Sequence, residues 1–210
     1  SIALDARLTP INNQQNLVDS SGGSIRTPVQ SSGFSVQGPG NSNSELGTMN
    51  LELSLPANAI AEQTDLRLTP ISNQGLAGLL PSGWSPIAVA EIDAFTPNAE
   101  LRTLNFNSPA TLKVPLISNP TLTAGSSVTL VSYDTGTHQW LARNPGTVSS
   151  AGAFVTASLA GTGQYAFVLP DSSSVSAPAG SPLPTQHLAL STLNSSPTAT
   201  GKVVPAVAPP

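Results

Sequence analysis

The chain has 210 residues, enough for one or two domains with a sizeable core. Only 9% of them are charged, the formal net charge is −4, and the seven Lys and Arg are scattered singly, which argues against nucleic acid as a partner. There is no cysteine, so disulfides, thiolate metal sites and covalent haem attachment are excluded.

Ser, Thr, Asn, Gly and Pro are abundant beside many β-branched residues. That balance fits an extracellular β-protein better than a cytosolic enzyme. The sequence opens at Ser1 without Met, as expected of a mature or processed piece whose leader has been removed. No apolar run approaches the roughly 20 residues that span a bilayer as a helix, so no membrane span is expected.

In chain order, the first element is a strand over 2–8, with Ile2, Leu4 and Leu8 as its apolar positions. Residues 5–14, DARLTPINNQ, nearly repeat residues 65–74, DLRLTPISNQ, and differ only at Ala6/Leu66 and Asn12/Ser72. The repeat is open to three readings: the end of a preceding similar module, a strand lent to this domain or a neighbour, or a shared local way of ending a strand at Pro. Residues 1–17 are taken as an N-terminal arm, with 12–21 a polar linker. Gly22-Gly23 opens a strand at Ser24-Ile25-Arg26. Residues 31–47 are a long hairpin or a surface loop, in which Phe34 and Val36 alternate.

Leu51, Leu53 and Leu55 alternate with polar residues, which predicts a half-buried strand ended by Pro56. Asn58 sits in the following turn, where a left-handed residue is useful. Leu66 and Leu68 resume the alternation, with Asp65 and Arg67 facing out. Residues 79–86 read as a Gly/Pro turn that carries Trp84, and Ile87, Val89 and Ile92 make the next strand.

LSLPANAIAEQTDLRL (53–68) and FNSPATLKVP (106–115) together resemble the two signatures of the ZU-type β-sandwich domain of zonula occludens proteins, ankyrins and netrin receptors. PSGWSP (81–86) is similar to bacterial relatives that occur as modules of long surface or secreted proteins, some with Rhs repeats. Asn58 and Gln63 take places where that family usually has Gly. The resemblance covers about 18–170 and implies an Ig-like sandwich with a structural role. Eukaryotic members that cut their own chain do so at a His-Phe-Ser step. Here His138 is followed by Gln139 and Trp140, so that activity is not carried over.

Further strands are expected at 111–116, 128–133, 139–141, 154–159 and 164–169. Asp134-Thr135-Gly136 is a hairpin turn that sets Trp140 across from Tyr133, and the last two strands pair across Gly161-Thr162-Gly163. No segment shows helical periodicity. The expected fold is therefore all-β, an antiparallel sandwich over 18–170 with extended arms at both ends. Residues 171–210 are rich in Pro, Ser and Ala and read as a linker or assembly arm. Leu188, Leu190 and Leu193 form its apolar patch.

No catalytic constellation stands out. The two histidines, His138 and His187, lack companions at ligand spacing, and there is no G-x-S-x-G elbow. No enzyme activity, cofactor or metal is expected. The function expected is an extracellular structural or assembly module of a bacterial surface or secreted protein, joined to a protein partner or a second copy by strand addition from its arms. One alternative is a glycan-binding adhesin that stacks sugars on Trp84 or Trp140. Another is a spacer or plug cut from a larger Rhs-like protein.

Overall fold

The computed structural model describes residues 12, 14–29, 49–95, 101–116, 122–149, 153–171 and 177–185. Twelve strands run through them. They are β1 (Leu17–Val18), β2 (Gly23–Pro28), β3 (Asn50–Leu55), β4 (Thr64–Ile71), β5 (Trp84–Phe95) and β6 (Leu101–Arg102), then β7 (Asn105–Pro115), β8 (Ser127–Asp134), β9 (Gln139–Ala142), β10 (Gly146–Val148), β11 (Phe154–Gly161) and β12 (Gly163–Pro170). Among the described residues no helix is long and apolar enough to cross a membrane.

The all-β, antiparallel expectation holds. The strands form one hydrogen-bonded path, β1-β4-β5-β12-β8-β10-β11-β7-β3-β2, with β6 on β5 and β9 on β8. This path bends into a nearly closed, barrel-like sheet. The short β10 joins the halves, pairing with β8 through Gly146↔Val128 and with β11 through Thr147↔Thr156. Gly146 is needed there: a Cβ on it would lie 2.5 Å from the Phe167 ring and 2.9 Å from Val155.

The last strand of the path, β2, comes round against β4, beside the short end strand β1, and leaves a seam between β2 and β4. No ladder crosses it among the described strands, but side chains do. Thr27 donates its hydroxyl to the Leu68 carbonyl at 2.8 Å. Asn12 Nδ2 donates to Thr27 Oγ1 and to the same carbonyl, and Asn12 N donates to Thr69 Oγ1. The polar groups at the seam thus find partners although no strand pairing is made.

Alternation sets the core. Leu51, Leu53 and Leu55 point inward from β3, and Leu66 and Leu68 do so from β4. Ile92, Leu112, Leu130 and Phe167 meet them from the other strands, each no more than 1% exposed. Burying a side chain of this size contributes about 1.5–3 kcal/mol. Outside β2, β3 and β7 a charged rung runs Arg26↔Glu52↔Lys113. Arg26 reaches Glu52 at 2.9 Å, and Lys113 lies over the Phe154 ring.

Three expectations are corrected. The strands at 154–159 and 164–169 do not pair with each other: β11 lies against β7 and β10, and β12 against β5 and β8. Their Gly-rich turn instead carries the chain from one half of the barrel to the other. Trp84 opens β5 rather than sitting in a turn. Pro86 is accommodated because the ladder slips beside it, with Val168 facing Pro86 and Phe167 facing Ala88. The supposed linker at 12–21 contains β1, which pairs with β4 through Leu17↔Asp65 and Val18↔Thr64. Residues 31–47 lie outside the described residues.

Two outcomes test this fold. Asn58 has φ 63°, as its turn requires. Asn58→Gly should leave stability almost unchanged, whereas Asn58→Val should cost about 1–2 kcal/mol in urea unfolding. The pH profile has a cause at each end. Hydrogen bonds from Ser24 and then Arg26 hold the Glu52 carboxyl below its ordinary value, and burial pushes the Tyr165 phenol above its own. A depressed carboxylate adds stability above the unfolded value and loses it as pH falls through the folded one. A raised phenol adds stability that fades as pH climbs past the ordinary 10.0. Glu52→Gln should therefore flatten the acid limb of a stability-against-pH curve, and Tyr165→Phe the alkaline limb.

Candidate functional site

The sheet carries a second apolar layer on its outer face. β12 reads QYAFVL, with Tyr165 and Phe167 in the core and Ala166 and Val168 on the other side, both fully buried. Val131 of β8 and Val89 of β5 lie on the same outer face. Trp84, Trp140 and Leu183 complete this cluster, and Leu76 and Leu80 pack against it. A strand apolar on both faces needs cover on both.

The loop 72–83 gives part of that cover. Gln164 fixes it, accepting from Ala77 N at 2.7 Å and donating to the Gly75 carbonyl. Gly78 lies so close that a Cβ would stand 2.6 Å from the Tyr133 ring, and its carbonyl accepts the Trp140 indole N–H at 3.0 Å. Tyr133 and Trp140 face each other across β8 and β9 as an edge-on pair at 5.3 Å, the cross-hairpin pairing expected from their positions.

The rest of the cover comes from the C-terminal side. Residues 180–183 lie along the free edge of β9. Gly180 N donates to the Ala142 carbonyl, Ala142 N to the Ser181 carbonyl, and Leu183 N to the Trp140 carbonyl. Leu183 enters the apolar cluster at 5% exposure, and the Trp84 indole N–H donates to the Pro184 carbonyl at 2.9 Å. This stretch is thus packed onto the domain, beyond the boundary expected at residue 170.

The N-terminal side does the same at β4. Leu66 N donates to the Asn16 carbonyl, Asn16 N to Asp65 Oδ1, and Asn16 Nδ2 to the Leu66 carbonyl. Val18 is buried while Leu17 stays 67% exposed. Asp65 faces outward but is nearly buried, because Asn16 and Arg67 enclose it. Asn12, Asn16, Gln164 and Leu183 were not singled out by the sequence. Only the doubly apolar pattern of β12 signals that something must cover it.

Of the candidate interaction residues, Ile2, Leu4, Leu8, Leu188, Leu190 and Leu193 lie outside the described residues. Trp84 and Trp140 are 5% and 2% exposed, and both indole nitrogens are bonded. Neither ring has a free face for a sugar, so the exposed stacking platforms imagined for them are absent. His138 stands at φ 54° in the β8–β9 turn, its Nδ1 3.4 Å from the Tyr133 hydroxyl. Asp134 closes that turn on Gly136 N and Thr137, as an Asp-led turn should. Among the described residues no three His, Cys, Asp or Glu gather as metal ligands.

Trp84 bonds the C-terminal segment through Pro184, and Trp140 shares its apolar cluster with Leu183. Ending the chain at residue 171 should shift their emission to longer wavelength. Leu183→Ala in the full chain should cost about 2–5 kcal/mol at most, less where the segment relaxes, read from thermal unfolding. The chain matches no family model and no curated protein, so the ZU-type likeness rests on the residues quoted for it.

Proposed function

We propose that the protein is a structural and assembly module, not an enzyme, that joins to a neighbour through its flanking arms. One observation carries this reading: both flanks already behave as added strands. Residues 14–18 lie along β4, and residues 180–183 along β9. Main-chain hydrogen bonds supply the hold, while Val18 and Leu183 are buried in the two apolar clusters. Strand addition works in this manner, with the backbone giving affinity and alternate side chains giving register. The residues beyond, 1–11 and 186–210, continue from these anchored stretches and carry Ile2, Leu4, Leu8, Leu188, Leu190 and Leu193.

The ZU-type likeness supports the same reading. Its first signature spans β3, the Asn58 turn and β4, and its second spans β7. A sandwich description of the domain belongs with that likeness. The low charge and the Ser/Thr/Asn-rich composition favour a secreted or surface setting.

Light scattering tests the proposal. The full chain is compared with a version trimmed to 12–185, which keeps both anchoring stretches. Association by the full chain alone is expected. Equal masses for the two, across the same concentration range, would remove the arms from the mechanism.

A further inference from the structure

A half-open cleft of about 640 Å³ lies where the β8–β9 hairpin, the start of β7 and the β11–β12 turn come together. That volume is in the range of small-molecule sites. Arg143 lines it. The Arg143 Nε donates to Ser132 Oγ at 2.8 Å, and Ser132 is buried, so the guanidinium is held at one nitrogen. Among the described residues its two terminal nitrogens have no hydrogen-bond partner. Asp134 also lines the cleft, but its carboxylate is occupied by Gly136 N and Thr137 Oγ1 and forms no ion pair with Arg143. Around them Asn105, Asn144 and Ser158 present amide and hydroxyl groups that no hydrogen bond within the described residues uses.

We propose that this cleft binds an acidic saccharide, with its carboxylate on the terminal nitrogens of Arg143 and its hydroxyls on Asn105, Asn144 and Ser158. The guanidinium fork matches a carboxylate in two parallel hydrogen bonds, and a charge-assisted pair is the strongest contact such a site offers. One fixed cation, beside a carboxylate already engaged by its own turn and among neutral donors and acceptors, suits a polyol with a single acidic group. Nucleic acid needs a row of cations along its backbone. Among the described residues Arg143 stands alone as a cation in the lining. A peptide adding as a strand needs a free edge, and the nearest, that of β9, is taken by residues 180–183.

The cleft also depends on the C-terminal segment. Ala179 and Gly180 form part of its wall, at the point where the segment reaches Ala142. The site is therefore complete only with that segment docked. This inference stands apart from the assembly role, since neither strand-adding flank beyond 12–185 is needed for it.

Calorimetric titration of the full chain tests it, with a glucuronic acid-containing disaccharide, the matched glucose disaccharide and an acidic peptide as probes. The uronate should bind at least about tenfold more tightly than its neutral match, and Arg143→Gln should erase that preference. Asn105→Ala, which keeps the charge, should weaken the uronate several-fold while circular dichroism stays unchanged. Failure of the uronate to bind at millimolar concentration overturns the proposal. So does equal affinity for the neutral sugar, or uronate binding untouched by Arg143→Gln. Equal affinity for the peptide through Arg143 overturns the saccharide assignment. Should Arg143→Gln not fold, unchanged uronate affinity in Asn105→Ala overturns it in its place.

Discussion

Everything in this domain rests on β12 being apolar on both faces. Tyr165 and Phe167 tie it to the main core, and Ala166 and Val168 tie it to the outer layer. A sheet strand with a wet outer face could end its packing there. This one cannot, because bare Ala166, Val168, Val131 and Val89 would leave a contiguous apolar patch in water. The loop 72–83 and the segment at 177–185 exist in their observed positions because that patch must be covered. The indoles of Trp84 and Trp140 are drawn under them, and each indole N–H takes a backbone carbonyl from a covering segment.

The same economy governs the edges. Exposed strand edges invite pairing with other chains. Here the edge of β4 is taken by residues 14–18 and that of β9 by residues 180–183. The seam between β2 and β4 is bridged by Thr27 and Asn12 rather than by a ladder. The domain therefore uses its own flanks where other β-proteins use charges or bulges. On the outer faces, charge is paired in the Arg26–Glu52–Lys113 rung and the Asp65–Arg67 pair.

What was legible in the sequence is what is local. The Leu51–Leu53–Leu55 alternation, the stop at Pro56, the left-handed Asn58, the Asp134 turn and the Tyr133–Trp140 pairing all follow from neighbours within a few residues. Which strand lies beside which does not. The turn at Gly161-Thr162-Gly163 looks like a hairpin, yet it spans two halves of the barrel, because partners for β11 and β12 come from far along the chain. Trp84 misleads in a similar way. Pro81, Gly83 and Pro86 read as a turn, but a slip in the ladder lets β5 begin inside that run. The segment at 177–185 has the composition of a linker, and only Leu183 gives it an anchor. Arg143 was invisible as a site residue, since its meaning lies in Ser132 and in the distant residues that share its cleft.

The docked C-terminal segment also sets an order of events during synthesis. Domains emerge from the ribosome N-terminal end first. Residues 180–183 are made after every strand they cover, so the outer layer of the sheet has only the loop 72–83 as cover until the last of the domain is translated. Through that interval the apolar outer face of β8, β9 and β12 stands partly open to whatever meets the nascent chain. The cover of that face is complete only once Leu183 has been added.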